Sequence, residues 1–157
     1  MSAAAESVEI FFLDDMEDII IITEHNLRRE NLKLDITFFL DETDMLSALE
    51  ARRNRPSPPP DMIVTDLNMP GRGGVHLVKA LREDAFCEQI AIVVCTSSEN
   101  PADHDACLSA GADFVVLKPF DRSTLDQICE KTGRFQLIQR DDGKDYLCPA
   151  RLSSEAA

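Results

Sequence analysis

The sequence has no tryptophan, a single tyrosine and no run of the ~20 apolar residues that a membrane-spanning helix needs. Its first residues also lack the basic region and apolar stretch of a signal peptide. The cysteines show neither a CxxC pair nor a spacing typical of a zinc site, so we expect them to stay reduced. They are Cys87, Cys95, Cys107, Cys129 and Cys148. These absences predict a cytoplasmic protein with no membrane partner.

Positive charge is also scarce. The chain has 16 Lys and Arg against 29 Asp and Glu, a formal net charge of −13, and it contains no basic run. Nucleic-acid phosphates require compensating Lys and Arg side chains, so we do not expect nucleic acid as a direct partner. The acidity itself is typical of a well-solvated surface and indicates no function. At 157 residues, the chain is long enough for about one domain with one core.

Four short apolar runs each end on a residue suited to phosphoryl chemistry. VEIFFL ends on Asp14 and Asp15, MIVT on Asp66, IAIVVC on Thr96 and FVVL on Lys118. In an alternating strand–helix chain the strands are parallel, so their carboxyl ends meet at one edge of the sheet, where ligands bind. Three carboxylates, a hydroxyl and an ammonium group at one edge predict a site for Mg²⁺ and a phosphoryl group.

The run IIII at residues 19–22 looks locally like a strand because β-branched residues favour strands, but its context favours a helix. Asp15 is placed to cap this helix, and the polar tail HNLRRENL carries apolar residues at helical spacing. The face predicted to turn inward consists of Met16, Ile19, Ile20, Thr23 and Leu27.

The remaining segments continue the alternation of strand and helix. We predict a strand at 35–40 and helices at 43–52 and 75–83, with the proline-rich NRPSPPP as a stiff surface connector. Asn100 and Asp121 are expected to cap the fourth and fifth helices, which Gly111 and Gly133 end. Five strands alternating with five helices predict an α/β fold with a doubly wound, five-stranded parallel sheet.

Beyond the fifth helix, the sequence indicates a short C-terminal extension. Asp142 and Gly143 favour a turn between two short strands, FQLIQ and DYLC, with a flexible end after Pro149. An apolar tail of this kind could instead pair with a second copy of the chain. Both interpretations remain open at the level of sequence.

Taken together, these residues resemble the receiver domain of two-component response regulators, over residues 8–133. The resemblance rests on the order of four motifs, each after an apolar strand: Asp14-Asp15, Asp66-Leu67-Asn68-Met69-Pro70-Gly71, Thr96, and Lys118-Pro119. It implies a flavodoxin-like (βα)5 receiver domain at 1–134 and an extension at 135–157. Because the sequence ends soon after the fifth helix, we expect a stand-alone receiver without an effector domain.

The resemblance implies a role for each site residue. Asp66 would attack the phosphorus of a phosphohistidine on a kinase and become an aspartyl phosphate. Asp14, Asp15 and Asp66, with the backbone carbonyl of Asn68, would hold Mg²⁺ as the cofactor. Thr96 would donate its hydroxyl to a phosphoryl oxygen, Lys118 would be a second fixed cation, and the Lys118–Pro119 peptide would be cis.

Simpler roles exist for each residue alone. Asp14 or Asp15 could merely cap a helix, Thr96 could simply end a strand, and Lys118 could be a surface ammonium. Their joint order favours the site. Asp66 has the weakest structural explanation, because a carboxylate after a buried strand is costly unless it is paired or bound to metal.

The implied partner is a sensor histidine kinase or a histidine phosphotransferase. The NRPSPPP insertion, the DLNMPG and TSSEN segments and the extended tail are similar to the subgroup paired with phytochrome-type histidine kinases. Members of that subgroup often dimerise through the carboxyl-terminal region, so a homodimer through the FQLI segment is one expectation.

The sequence also departs from the family pattern. Three residues before the lysine, where an aromatic residue is usual, this chain has Val115, and Phe114 should face the opposite side of the strand. Ser97 and Gly73 also differ from the common residues, although neither is a site ligand. The sequence therefore does not predict the usual aromatic switch, and a signal would leave by another route.

Three alternatives to a phosphorylation switch follow from the same residues. A phosphotransfer intermediate or phosphate sink would need no output surface, and Val115 is compatible with it. A hydrolase of the haloacid dehalogenase class needs a second acid two residues after the nucleophile, where this chain has Asn68. Flavin binding is disfavoured, because the loops lack a Ser/Thr and Gly phosphate-binding pattern and tryptophan is absent.

Overall fold

A computed structural model describes residues 7–55, 57–69 and 73–150. The strands are β1 (Glu9–Leu13), β2 (Asp35–Phe39), β3 (Met62–Asp66), β4 (Ala91–Thr96), β5 (Phe114–Leu117), β6 (Phe135–Gln139) and β7 (Asp145–Pro149). The helices are α1 (Glu17–Arg29), α2 (Glu42–Asn54), α3 (Gly73–Glu83), α4 (Pro101–Ala110) and α5 (Arg122–Thr132), with a short 3₁₀ helix at Ala85–Cys87.

Strands β1 to β5 form one parallel sheet in the order β2-β1-β3-β4-β5. This arrangement confirms the predicted doubly wound α/β fold. The strand order reverses direction at β1 and β3, the kind of position where such sheets bind ligands. The carboxyl ends of β1, β3, β4 and β5 therefore share the edge at which the sequence places the site.

Apolar side chains cover both faces of the sheet, because β1, β3 and β4 are buried along almost their whole length. One core layer includes Phe12, Val64 and Phe120, and the other includes Phe11, Ile63 and Leu77. Phe114 packs against the first layer and Val115 against the second. The two side chains therefore lie on opposite faces of the sheet, as predicted.

The IIII segment lies in α1, so its prediction as helix is confirmed. Of the predicted inward face, Ile20, Thr23 and Leu27 are buried, whereas Met16 precedes the helix and is 54% exposed. Capping by Asp15 was a wrong prediction: α1 begins after Met16 without a side-chain cap. Instead, Asp14 accepts a hydrogen bond from the Met16 N–H, at 3.0 Å, which orients the carboxylate at the end of β1.

The other predicted helix boundaries agree within a few residues, although α2 extends to Asn54 and α3 begins at Gly73. Asn100 caps α4 through the Ala102 N–H, and Asp121 caps α5 through the Thr124 N–H. Gly111 and Gly133 follow the last turns of these helices with positive φ angles, as expected for C-terminal glycines. All five cysteines are free.

The predicted hairpin is confirmed: β6 and β7 pair in antiparallel fashion around the Asp142-Gly143 turn. It packs against the amino ends of the parallel strands. The Val8 N–H donates to the Leu147 carbonyl at 2.8 Å, and the side chains of Phe135 and Leu147 are buried in the first core layer. The hairpin thus extends the core at the edge opposite the site.

Some predicted features lie outside the described residues: Pro56 of the connector, Pro70 and Gly71 of the DLNMPG segment, and residues 151–157 of the flexible end. Within the described part of the chain, no helix has both the length and the apolar character needed to cross a bilayer.

Candidate functional site

The ends of β1 and β3 bring the three predicted acids together. These strands are neighbours, with Leu13 opposite Thr65, so Asp14 and Asp66 lie side by side at the edge of the sheet. Carboxylate oxygens of Asp14, Asp15 and Asp66 all lie within 4.8 Å of one another. Asp14 and Asp66 are buried, whereas Asp15 is exposed. The cluster therefore has two fixed inner carboxylates and one that opens to solvent.

Backbone N–H groups orient the two inner carboxylates. The N–H of Met16 donates to Asp14 at 3.0 Å, and the N–H of Asn68 donates to Asp66 at 3.3 Å. Each bond takes up one oxygen and leaves the other available for a cation. The backbone of Asn68 thus lies against the Asp66 carboxylate.

Lys118 joins the site from the end of β5. Its Nζ lies 2.9 Å from Asp14 Oδ2 and 3.4 Å from Asp66 Oδ2, so one ammonium group bridges the two inner carboxylates. Its backbone N–H donates to the Thr96 carbonyl at 2.8 Å, and the Lys118–Pro119 peptide is cis, as predicted. Lys118 is therefore a fixed part of the site and not a loose surface cation.

Burial and neighbouring charges both shift the pKa values of Asp66 and Lys118. Burial raises the pKa of Asp66 above its usual 3.8; Lys118 opposes this effect and Asp14 adds to it. Burial alone would lower the pKa of Lys118, but its hydrogen bonds and ion pairs with the two aspartates outweigh burial and raise that pKa. The lysine therefore stays charged, while ionised Asp66 lacks full charge compensation.

Thr96 ends β4 beside β3, with Cys95 opposite Asp66 in the register. Its side chain is fully buried, and its hydroxyl oxygen accepts a hydrogen bond from the Ser98 N–H at 3.0 Å. A threonine hydroxyl has one proton to donate in addition to its acceptor positions. Since Ser98 occupies an acceptor position, the proton can be donated to another group at this edge.

Gly74, at the start of α3, packs directly under Asp66. A Cβ atom at this position would lie 2.3 Å from the Asp66 carbonyl oxygen and 2.9 Å from the Leu67 Cα. The Gly74 N–H also donates to the Leu67 carbonyl at 2.8 Å. The loop that carries Asp66 therefore rests on α3 at a place where only glycine fits.

The donor set suits a hard divalent cation. Three carboxylates supply the oxygen ligands that Mg²⁺ prefers, and Mg²⁺ usually keeps several waters as well. Beside Asp15, a cleft of about 230 Å³ lined by Asp41, Glu42 and Met69 opens to solvent. A hydrated cation could reach the cluster through this acidic opening.

The structure brings together Asp14, Asp15, Asp66 and Lys118, and it places Asn68 and Thr96 at the same edge. Sequence reasoning missed Gly74 as the support of the Asp66 loop, although its position in a glycine-rich stretch after the motif was a signal. It also missed the contacts that hold Ser98, which depend on a loop conformation that no motif specifies.

The chain is similar to known proteins in sequence and in fold. The family model described as response regulator receiver domain matches residues 10–130. The transcriptional regulatory protein PrrA of Mycobacterium leprae is 32% identical over 120 residues, which are 76% of this chain and 47% of PrrA. This chain spans about half the length of the first curated relatives that it matches.

Solved structures share the fold. The bacteriophytochrome response regulator AtBRR has a TM-score of 0.73 at 22% identity, covering 87% of this chain and 99% of AtBRR. The chemotaxis response regulator CheY4 of Vibrio cholerae has a TM-score of 0.62 at 22% identity, covering 80% of this chain and 98% of CheY4. At such identities the likeness concerns the fold alone.

Proposed function

This chain belongs to the family of response regulator receiver domains, and on that premise we propose that Asp66 accepts a phosphoryl group from a histidine kinase in a Mg²⁺-dependent reaction. The observation that carries the proposal is the meeting of Asp66 with Asp14, Asp15 and Lys118 at one edge of the sheet. Receiver domains are not enzymes in the usual sense, because the group that they phosphorylate is their own.

In the proposed reaction, one oxygen of Asp66 attacks the phosphorus of a phosphohistidine. The new O–P bond gives an acyl phosphate, the P–N bond breaks, and its electron pair returns to the histidine ring. The N–H of Asn68 holds the other Asp66 oxygen, which keeps the carboxylate oriented. Asp66 thus supplies the nucleophilic oxygen, and the Asn68 N–H orients its carboxylate.

The other residues act on charge. Lys118 already lies between Asp14 and Asp66 and offsets negative charge that builds on the phosphoryl oxygens in the transition state. Thr96 donates its hydroxyl proton to one of those oxygens. Asp14, Asp15, Asp66 and the carbonyl of Asn68 would hold the cation. When bound there, Mg²⁺ would supply positive charge that offsets the carboxylates and the phosphoryl oxygens.

The phosphodonor would approach beside α1. Ile21 and Ile22 on this helix are 56% and 50% exposed, and Met16 before it is 54% exposed. Ile22 also lines an apolar cleft of about 280 Å³, together with Lys118 and Pro119. Exposed apolar groups next to a charged site suit a helical histidine donor from a kinase, including a phytochrome-type kinase, or from a phosphotransferase.

For output, we propose that phosphorylation shifts a two-state equilibrium and changes which partner binds at the face formed by α4, β5 and α5. Leu108 and Leu117 are 47% and 42% exposed on that face and offer apolar contact. A partner must bind the two states with different affinity for any signal to pass. We place the protein in the cytoplasm, where such kinases present their phosphohistidine.

A second candidate function is a phosphotransfer intermediate or phosphate sink. Val115 favours it, because this β5 position lacks an aromatic side chain that could report on the site. Rapid return of the phosphoryl group from Asp66 to a histidine phosphotransferase would support the sink. A phosphoprotein that persists and binds a partner would support the switch.

We also propose that residues 1–134 are the receiver domain and that the extension can form a homodimer. On the hairpin face away from the core, Ile138 lies opposite Tyr146 and is 39% exposed. A concentration series in analytical ultracentrifugation should show dimers of wild type that Ile138→Lys disrupts. Monomers at all concentrations would contradict the dimer.

The proposed reaction is tested by intact mass after incubation with a small acyl phosphate, with and without Mg²⁺. We expect a phosphoryl adduct on wild type only with the metal, and none on Asp66→Asn. Asp105→Asn, at an exposed position on α4, is the matched control and should be modified like wild type. An adduct on Asp66→Asn, or one independent of metal, would contradict the assignment.

A further inference from the structure

The loop between β4 and α4 is held by side chains at the start of α4. Ser98 Oγ donates a hydrogen bond to Asp103 Oδ2 at 2.5 Å. The carbonyl of Ser98 lies 2.7 Å from Nε2 of His104. Because a carbonyl can only accept, His104 must donate through a protonated Nε2. Both polar ends of Ser98 are therefore tied to the first turn of α4.

The third polar group of Ser98 connects this turn to the site. Its backbone N–H donates to Thr96 Oγ1 at 3.0 Å. This bond fixes which lone pair of the hydroxyl is used and so restricts the directions in which Thr96 can donate its own proton. A chain of hydrogen bonds thus runs from His104 and Asp103 through Ser98 to Thr96.

Helix capping alone does not explain these contacts. Asn100 already caps α4, since its side chain accepts from the Ala102 N–H at 3.0 Å. Asp103 and His104 instead use their side chains on a residue of the preceding loop. Helix α4 therefore fixes Ser98 of the loop, and Ser98 in turn contacts the Thr96 hydroxyl.

We propose that Ser98, Asp103 and His104 are positioning residues that aim the Thr96 hydroxyl at the phosphoryl group, an inference that rests on the proposed phosphorylation of Asp66. A hydroxyl that is already oriented needs no reorganisation when charge builds on the phosphoryl oxygens, so it stabilises the transition state more effectively than a freely rotating one. The α4 turn is then part of the phosphorylation machinery, although it contacts neither phosphoryl group nor metal.

The kinetic test is a double-mutant cycle between His104→Ala and Thr96→Ala. Loss of one neutral hydrogen bond should slow phosphorylation by a small acyl phosphate roughly three- to tenfold in the wild-type background. In the Thr96→Ala background, the same change should have almost no effect, because the hydroxyl that it positions is gone. His104→Gln keeps an N–H donor and should recover part of the rate, and Asp105→Ala on the same turn is the control.

A second measurement does not depend on phosphorylation. Amide hydrogen exchange at Ser98 should be faster in His104→Ala than in wild type or Asp105→Ala, because Ser98, which donates that N–H to Thr96, is no longer held through its carbonyl. Urea unfolding of each variant shows whether the fold is retained. Ser98→Ala, which removes the Oγ contacts with Asp103 and with the Asn100 N–H, provides an independent variant if His104→Ala is poorly folded.

The outcomes separate this inference from the proposed function. Failure of wild type to form an adduct would overturn both. A normal adduct on wild type with equal rates in the His104 variants would overturn the positioning role alone. An undiminished His104→Ala effect in the Thr96→Ala background would also overturn it, since the residue would then act without the hydroxyl. A slowed rate that disappears in that background, with faster Ser98 exchange, is the expected result.

Discussion

At the scale of single residues, the three carboxylates have unequal environments. Asp14 is in direct contact with Lys118, Asp66 is farther from that ammonium group, and Asp15 is exposed. Burial raises the pKa of Asp66 despite the nearby lysine. Ionised Asp66 is therefore destabilised in this structure, and a bound cation would relieve that destabilisation.

Removing this charge should stabilise the metal-free protein. A carboxyl group whose folded pKa is raised contributes stability below its unfolded pKa, and that contribution is lost as the pH rises through the folded pKa. Asp66→Asn should accordingly raise the free energy of unfolding at neutral pH by about 0.5–2 kcal/mol and remove part of the pH dependence in the range above about pH 4. Urea unfolding across this pH range measures both effects.

Mg²⁺ should reverse the difference in unfolding free energy between wild type and Asp66→Asn, because a ligand stabilises the folded protein that binds it by mass action. Wild type should gain more stability from the metal than Asp66→Asn does. Equal stability of the two proteins without metal at every pH would contradict the account of Asp66.

Lys118→Met should have the opposite effect on stability. The variant keeps the length of the side chain but leaves Asp14 and Asp66 facing each other without a cation. We expect a loss of up to about 3 kcal/mol at neutral pH, less than for a fully buried pair because Lys118 is 18% exposed. The loss should shrink as the pH falls and Asp66, whose pKa is raised by burial, becomes protonated, and Mg²⁺ should restore part of it.

Urea unfolding with and without the metal measures this effect. Lys131→Met, in the exposed last turn of α5, is the matched control. A pH-independent loss in Lys118→Met would indicate a packing defect and contradict the electrostatic explanation.

The site could be predicted at this scale because each residue ends a strand, and parallel strands place their ends at one edge. Asp14, Asp66 and Lys118 required no further information. The direction of each side chain could not be predicted, because it depends on loop conformations. Examples are the bridge from Lys118 to two aspartates and the hydrogen bond from the Ser98 N–H to Thr96. Sequence patterns specify elements more closely than the loops between them.

At the scale of elements, the support of the site is the junction between β3 and α3. The loop after Asp66 returns so tightly that the Gly74 Cα faces the Asp66 carbonyl. The prediction of α3 from its apolar spacing placed Leu77, Val78 and Leu81 correctly in the core. The helix begins at Gly73, two residues earlier than predicted. The prediction left out the two glycines because glycine has a low helix propensity, whereas the close packing against Asp66 requires glycine at position 74.

Gly74→Ala should disturb the site as well as the fold. Its methyl group would lie 2.3 Å from backbone, which cannot move away as a flexible side chain would. We expect a loss of about 1–3 kcal/mol in unfolding free energy and a lower rate of phosphorylation because Asp66 is displaced.

The control for Gly74→Ala is Gly143→Ala in the hairpin turn. Its φ of +79° also disfavours alanine, but no atom lies within 4 Å of the added carbon. The control should lose stability without a change in the phosphorylation rate by a small acyl phosphate. A normal rate in Gly74→Ala would show that α3 does not position Asp66.

Two helix starts illustrate the limits of prediction for elements. Asn100 and Asp121 cap their helices as expected, because each stands alone before a clear helical segment. Asp15 does not cap α1, which begins after Met16 without a side-chain cap. The neighbouring Asp14 instead accepts a hydrogen bond from the Met16 N–H, which precedes the helix. An acid just before a helix can thus belong to the end of the strand and leave the helix uncapped, and sequence alone does not distinguish the two cases.

At the scale of the whole molecule, the β6–β7 hairpin attaches the C-terminal extension to the rest of the fold. Besides the Val8 contact, the Lys33 N–H donates to the Asp145 carbonyl and the Asp145 N–H to the Asn31 carbonyl, both at 2.9 Å. Arg122 at the start of α5 pairs with the Asp145 side chain at 2.6 Å. The extension is thus bound to β1, to α5 and to the segment before β2. Deleting it would remove part of the core along with any dimer contact.

Substitutions on the two faces of the hairpin separate these roles. Leu147 is 2% exposed in the core, so Leu147→Ala should cost about 2–5 kcal/mol of unfolding free energy. Ile138→Ala, on the exposed face of the paired strand, should cost less than about 1 kcal/mol. Urea unfolding at a protein concentration where ultracentrifugation shows only monomer measures both. Equal small losses would mean that the hairpin is not part of the folding unit, whereas the expected difference means that its inner face stabilises the receiver and its outer face is free for a second copy.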